Sequence, residues 1–524
     1  MRVAASFRAA LLAVAALAAA APPARPSPAA SPATEGANED LARFRKAFSG
    51  AEQPVAERLS AARGLALVDS RDAAELLCRG LAQTAEGVRA LAAERSRVRS
   101  RIVETQGAEG LKEAPWWDAP TLEKIRVLKE EEGRLRVRDL EEREILGTLR
   151  RSLSNLRDAR ALEFLETTLQ RSATAPLVRV AVAEALGAAG RPESVRALRG
   201  AAADRDPGPR EAAVAALGRF AARDPEAYRA LASALEDAAW PVRLAAARGL
   251  AAAAVPESVD LLVGRLGREE GRLRRDLASL LSALTGQGFG VEPEGWTRWW
   301  AEARAEFVSG QRHLSRDGVA VAAEGGSGPV SYYGITTDSK RILFVIDISG
   351  SMLEAGKDPA VSKVDSAKRE LLQTLRSLDG ESSFTIYAFH DAVRRWKPSL
   401  VRATAKAKDE AAAWVKALGA ASWTNTFGAL EEGFRVSAAA GLDADYGGAA
   451  DTIFLLTDGA PTTPGGQLAD GAGVLETKRV LEAVREWNRE KRVVLHAIGI
   501  GPSADNVFLG ALARENGGRF VPVR

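Results

Sequence analysis

The spacing of apolar residues changes character along this chain. From Glu39 to about residue 165 they recur at helical intervals among dense charge, with Leu122, Ile125, Leu128 and Leu135 standing out between about 85 and 155. The stretch "GAEGLKEAPWWDAP" at 107–120 interrupts that pattern, which predicts a long helical hairpin. Its heptads are too irregular to specify an oligomer. From residue 341 short continuous apolar runs take over: "RILFVID" (341–347), "SFTIYAF" (383–389), "DTIFLLTD" (451–458) and "RVVLHAIGIG" (492–501). Amphipathic segments separate them, such as "KVDSAKRELLQTLRSL" with Ala367, Leu371, Leu375 and Leu378 on one face. "AVRRWKPSL" reads as an antiparallel partner of the second run. Buried strands alternating with helices predict an α/β doubly wound, mostly parallel sheet at the C-terminus, preceded by all-α structure. In such sheets ligands bind at the carboxyl ends of the strands.

Between the hairpin and the sheet lies an internal repeat. "PLVRVAVAEALGAAGRPESVRAL", "PGPREAAVAALGRFAARDPEAYRAL" and "WPVRLAAARGLAAAAVPESVDLL" align, and "GRLRRDLASLLSALTG" begins a fourth copy. Their arginines at 179, 210, 243 and 274 are 31, 33 and 31 residues apart, and leucines at 186, 217, 250 and 281 keep the same spacing. "PVAERLSAARGLALVDSRDAAELL" at 54–77 reads as an outlying copy. Each unit is a helix, a turn marked by Pro or Asp-Pro, and a second helix. One such pair cannot bury its apolar face alone, so neighbours must stack into an α-solenoid. The units resemble HEAT repeats, although they are short for that family. After them, Trp296, Trp299 and Trp300 in "GFGVEPEGWTRWWAEAR" share one helix face and are expected to cap the last repeat.

Composition narrows the function classes. Hydrophobic residues at 46% and charged residues at 27% describe a globular chain. Lys+Arg of 72 against Asp+Glu of 69 leaves a net charge of +3, too small a field to favour nucleic acid. Cys78 is the single cysteine, so no intrachain disulfide forms, and its apolar helical setting "AELLCRGL" predicts a packing role. The three histidines, His313, His390 and His496, are dispersed, which argues against a histidine base or a zinc cluster. "MRVAASFRAALLAVAALAAAAPPARPSP" has arginines at 2 and 8, an apolar run over 9–21 and small residues before a Pro-rich stretch. That layout is a secretory signal, and the run is too short for an ordinary spanning helix. The expectation is export to a periplasmic or extracellular location, with no stable membrane span.

Three segments carry the candidate chemistry. "LFVIDISGSM" drives a strand straight into Asp347, Ser349 and Ser351, "WTNT" supplies Thr424, and "LLTDGAPT" supplies Asp458. Two carboxylates and three hydroxyls, with no nitrogen or sulfur donor, describe a hard-cation site for Mg²⁺, or Mn²⁺ or Ca²⁺. Such a set leaves a coordination position for an oxygen from outside. Gly350 and Gly459 suit the tight loops that fold the donors back toward one point. Other chemistries lack their parts. "GSMLEAGKD" has the wrong glycine spacing for a P-loop and no Ser or Thr after its lysine. A phosphoryl-accepting site of the haloacid-dehalogenase type pairs two aspartates, but Ser349 stands where the second belongs. A serine hydrolase needs a base beside Ser349 or Ser351, and neither His390 nor His496 carries an orienting signature.

The three segments together resemble the metal-ion-dependent adhesion site of a von Willebrand factor type A domain. Asp347, Ser349 and Ser351 match its Asp-x-Ser-x-Ser element, Thr424 its threonine, and Asp458 its Thr-Asp-Gly aspartate. "IGIG" followed by "LARENGGRFVPV" matches the closing helix and strand. The resemblance covers residues 340–524 and implies divalent-cation-dependent protein binding without catalysis, the partner offering an acidic residue to the metal. The loops "LEAGKDPAVSK" and "APTTPGGQLADGAGVL" are enlarged relative to the family and would flank the metal face.

The resulting division is a signal peptide over 1–21, a Pro/Ala-rich linker over 22–38, a helical region with the charged hairpin over 39–165, the HEAT-like solenoid over 166–306, a Gly/Ser-rich linker over 307–339 and the type A domain over 340–524. The functional expectation is an exported, non-enzymatic protein-binding scaffold. One alternative is an accessory subunit of an envelope enzyme or secretion complex that docks through the repeats. A metal-dependent hydrolase is a third reading, and no general base supports it.

Overall fold

A computed structural model describes residues 32–50, 53–106, 119–315, 330–356, 358–390, 392–420, 424–437, 450–459, 472–488 and 493–523. The signal, the hairpin tip around 107–118 and the segment 460–471 lie outside these. Helices α1 (Pro32–Ala47) and α2 (Val55–Leu65) lead into two 36-residue helices, α3 (Arg71–Gln106) and α4 (Ala119–Ser154), which pair along their length. At 1.5 Å per residue each is about 54 Å long. Residues 32–38, read as linker, form the first turns of α1. Pro32 sits where a helix tolerates proline, and Leu41 and Phe44 anchor the helix in the core.

Helices α5 (Ala159–Gln170), α6 (Pro176–Ala189), α7 (Ser194–Ala201), α8 (Pro207–Leu217), α9 (Pro225–Ala234), α10 (Trp240–Ala253), α11 (Pro256–Leu266), α12 (Gly271–Thr285) and α13 (Pro293–Val308) build the solenoid. One apolar core runs from Leu41 on α1 to Phe307 on α13. Successive first helices approach closely. A side-chain carbon at Gly187 would lie 2.7 Å from Ala216 Cβ, and one at Gly218 would lie 2.9 Å from Gly249 Cα. The repeated arginines explain themselves in three dimensions. Arg179 reaches Asp204 and Asp206, Arg210 binds Asp237 through Nε at 2.8 Å, and Arg243 binds Glu269 through Nε at 2.6 Å. Each therefore pins the turn that precedes the next repeat. Trp296 and Trp300 are buried at the solenoid's end, and Trp300 Nε1 donates to Asp260 at 2.6 Å.

A hairpin of β1 (Val330–Tyr332) and β2 (Ile335–Thr337) leads into the sheet. The remaining elements follow as β3 (Arg341–Asp347), α14 (Lys363–Ser377), β4 (Ser383–Phe389), β5 (Val393–Arg395), β6 (Val401–Arg402), α15 (Ala405–Lys416) and α16 (Thr426–Val436). They continue with β7 (Thr452–Thr457), α17 (Ala472–Trp487), β8 (Val494–Ile500), α18 (Asn506–Glu515) and β9 (Phe520–Val523). The sheet order is β5-β4-β3-β7-β8-β9, with β6 also on β4. Strands β4, β3, β7, β8 and β9 are parallel, and β5 and β6 run antiparallel to β4. Alternate residues of β3 serve opposite cores: Ile342, Phe344 and Ile346 pack with α14 and α15, while Leu343 and Val345 pack with α16 and α18.

The helical region is joined to the sheet unit by buried charge. On α3, Arg95 is 1% exposed and donates to Glu431 on α16, through Nη1 at 2.5 Å and Nη2 at 2.7 Å. The same guanidinium reaches Glu132 and Asp139 on α4, each at 3.1 Å. Arg99 adds bonds to Glu132, Glu431 and Glu432, and Arg395 closes on Glu432. Burial raises the Glu431 carboxyl, but the charges of Arg95 and Arg99 outweigh it and hold the group well below the usual carboxylate range. At the solenoid's far end Arg272 donates to the Asp451 carbonyl at 3.2 Å. Removing one partner from such a network leaves buried charge uncompensated. Arg95→Met is expected to destabilise the chain by about 3–5 kcal/mol in urea or thermal unfolding, and adding Glu431→Gln should return part of that loss.

Candidate metal centre

The topology places two of the five candidate donors side by side. The chain leaves β3 for β4 on one side and returns through β7 on the other, so β3 and β7 flank the point where strand order reverses. Open parallel sheets form their ligand crevices there. Asp347 is the last residue of β3, and Asp458 directly follows β7. Both are fully buried.

Beyond Asp347 the loop is held by its backbone and its apolar residues. Ile348 N donates to the Phe389 carbonyl at 2.7 Å, and the buried side chains of Ile348 and Met352 seat the loop in the core. Ser349 N donates to Asp347 Oδ1 at 2.8 Å, and Thr457 Oγ1 donates to Asp347 Oδ2 at 2.5 Å. Residues Gly350–Leu353 make one 3-10 turn that brings Ser351 back. Ser349 Oγ and Ser351 Oγ lie 3.2 Å apart, and Ser351 Oγ donates to Asp458 Oδ1 at 2.8 Å. Four of the five residues are thus joined by one continuous run of hydrogen bonds. Thr424 is buried across from them, where a side-chain carbon on Gly459 would stand 3.8 Å from its Oγ1.

Thr424 is fixed through its neighbour. Asn425 caps α16, its Oδ1 accepting from Gly428 N at 2.9 Å, and its own N–H donates to the His390 carbonyl at 2.7 Å. Arg136 on α4 donates to the same Oδ1 at 2.8 Å. The charged hairpin therefore touches the residue next to a candidate donor.

Sequence reasoning missed two participants, Lys363 and Thr457. Lys363 Nζ donates to Asp458 Oδ2 at 2.9 Å and to Glu354 Oε2 at 2.7 Å, and the lysine is 1% exposed. It occupies the first turn of α14, where the helix dipole disfavours a cation. That misplacement is the one sequence signal that pointed to it. Thr457 was also overlooked, although it adjoins Asp458.

Among the described residues no group of three or more His, Cys, Asp or Glu is arranged to hold a metal. The cluster instead pairs two carboxylates with hydroxyls. An ammonium already lies on one of those carboxylates, so the site accepts positive charge. An all-oxygen set of this kind fits a hard divalent cation.

Residues 340–521 match the family model of the von Willebrand factor type A domain. The C-terminal unit is a von Willebrand factor type A domain. Residues 139–218 and 201–282 match the model of HEAT repeats. The type A domain is similar to inter-alpha-trypsin inhibitor heavy chain H1 of Sus scrofa, 33% identical over 186 residues, which are 35% of this chain and 19% of that protein. Heavy chain H4 of Homo sapiens is 30% identical over 186 residues, covering 35% and 18%. The chain thus spans less than a fifth of these curated relatives. A solved von Willebrand factor type A structure from Catenulispora acidiphila aligns at 21% identity over 36% of this chain and 39% of that one, with a TM-score of 0.28.

Electrostatics in the type A domain give a pH signature. Burial pushes the Asp347 carboxyl from 3.8 up to about 6, against hydrogen bonds from Thr457 and Ser349 and with the Asp458 charge adding to the rise. Between these values the native chain holds a proton that the unfolded chain has lost. Metal-free stability from this group is therefore present below pH 3.8 and lost as the pH rises through about 6. Its magnitude is about 3 kcal/mol. In chelator, Asp347→Asn is expected to exceed the parent in thermal stability above pH 6 and to lose that advantage near pH 4.

Proposed function

We propose that this chain is an exported, non-enzymatic protein-binding scaffold whose type A domain grips a partner through a divalent cation. The observation that carries this reading is the convergence of Asp347, Ser349, Ser351 and Asp458 at the switch point of the sheet, with Thr424 opposite. These five residues would hold Mg²⁺, or Mn²⁺ or Ca²⁺, and the bound ion would supply an electrophilic position for an acidic residue of the partner. The oxygen-only donor set and the relatives' identity as heavy chains of an inhibitor support binding over turnover. Export rests on the layout of residues 1–21. Among the described residues no helix is long and apolar enough to cross a membrane.

A second reading is docking through the repeats, as an accessory subunit of an envelope complex. An open groove of about 960 Å³ between α7 and α9, lined by Arg196, Arg199, Arg229, Glu226 and Glu236, favours it. Chelation separates the two. Titrating the purified chain with Mg²⁺ should raise its melting temperature, with stabilisation of about 2.7 kcal/mol at 100 times the dissociation constant, and Asp347→Ala should abolish the rise. Partners captured from an envelope extract should be lost in chelator and with Asp347→Ala. A captured set indifferent to both would assign docking to the solenoid instead.

A further inference from the structure

Lys363 sits in a built slot rather than on an open surface. The loop that delivers it is closed by pairing of Ala355 with Ser362, by Gly356 N on the Val361 carbonyl at 2.8 Å, and by Lys363 N on the Glu354 carbonyl at 3.0 Å. Gly501, at φ +81°, lies against its stem, where a side-chain carbon would come within 2.9 Å of Lys363 Cε. The ammonium is thereby aimed at Asp458 Oδ2, with the Ser351 carbonyl at 3.5 Å. Its second partner differs in kind: the Glu354 side chain is 67% exposed. Lys363 thus spans a buried carboxylate inside the cluster and a solvated one at its edge.

We propose that Lys363 is a tethered cation that competes with the divalent ion for Asp458 and so sets the ion concentration at which the site fills. With no ion bound, Lys363 neutralises Asp458, which together with Asp347 would otherwise bury two carboxylates among hydroxyls alone. When an ion is held, like charges this close repel strongly in a buried setting. Lys363 then gives up Asp458 and stays on Glu354, moving toward solvent with one salt-bridge partner kept. The proposal rests on the reading of the five residues as a metal site.

Isothermal calorimetry with Mg²⁺ and electron paramagnetic resonance with Mn²⁺, on the full chain at fixed pH, test it. Lys363→Met and Lys363→Gln are expected to bind both ions about tenfold more tightly than the parent. Both variants should melt lower than the parent in chelator and regain the difference in saturating Mg²⁺. In the unaltered protein, mass spectrometry should find Lys363 protected from reductive methylation in chelator and modified in saturating Mg²⁺, a readout that does not depend on the variants folding. Equal or weaker ion binding by the variants, or protection unchanged by Mg²⁺ in a parent that calorimetry shows to bind the ion, overturns the competitor role while leaving the metal site intact. If neither parent nor variants bind either ion, the metal reading falls and this proposal with it. Binding by the variants alone would make Lys363 the resident cation and support the proposal in its strongest form.

Discussion

The guanidinium of Arg95 is the point on which the helical and sheet units depend. It is almost wholly buried and shared among Glu132, Asp139 and Glu431, carboxylates from both the hairpin and the type A domain. Taking such charges out of water costs several kcal/mol per ion, and the arrangement persists only when every donor finds an acceptor. Arg99, Arg395 and Arg435 supply the additional donors around Glu431 and Glu432. Hairpin and domain therefore complete each other. Leu140 on α4, packed against the apolar cluster under α16 and α17, adds a hydrophobic seam beside the charged one.

The candidate metal face poses the same electrostatic problem with fewer groups. Asp347 and Asp458 are buried at adjoining strand ends because a doubly wound sheet reverses there, and topology rather than local preference brings them together. Their solutions differ. Asp347 is surrounded by neutral donors, Thr457 Oγ1 and Ser349 N, and its carboxyl is pushed up. Asp458 receives a formal positive charge from Lys363. One carboxylate is thus held by hydrogen bonds and the other by a cation that has another partner within reach.

The sheet, and the strand ends that carry the candidate donors to one edge of it, were legible because their signals are local. A continuous apolar run ending on Asp-x-Ser-Gly-Ser declares both a strand and what it delivers, and "LLTDG" does so again. The solenoid was legible from its period, and the arginines at 179, 210 and 243 turned out to be the rungs that make the period work. The docking of the hairpin left no such trace. Arg95 and Glu431 are 336 residues apart, and a charged helix face reads as solvated until its partner is known. Lys363 was hidden for a related reason. A lysine in the first turn after the Ser362 cap is a weak signal by itself, and only the fold of the preceding loop turns it inward.

Helix α16 links the two buried charge clusters. Its acidic residues Glu431 and Glu432 lie in the network with Arg95 and Arg99, while its cap Asn425, next to Thr424, is held by Arg136. A type A domain standing alone could adjust Thr424 by sliding or tilting this helix. Here any such shift would pull Glu431 from Arg95 and expose both, so the helix has one strongly preferred position. A packed interface of buried ion pairs is stable in discrete arrangements rather than continuously deformable. The adaptable part of the face is consequently the other side, where Lys363 stands between Asp458 and Glu354. On the proposal that Lys363 yields to an ion, the site divides into a fixed wall under Thr424 and a movable cation beside Asp458, and the charged hairpin supplies the first.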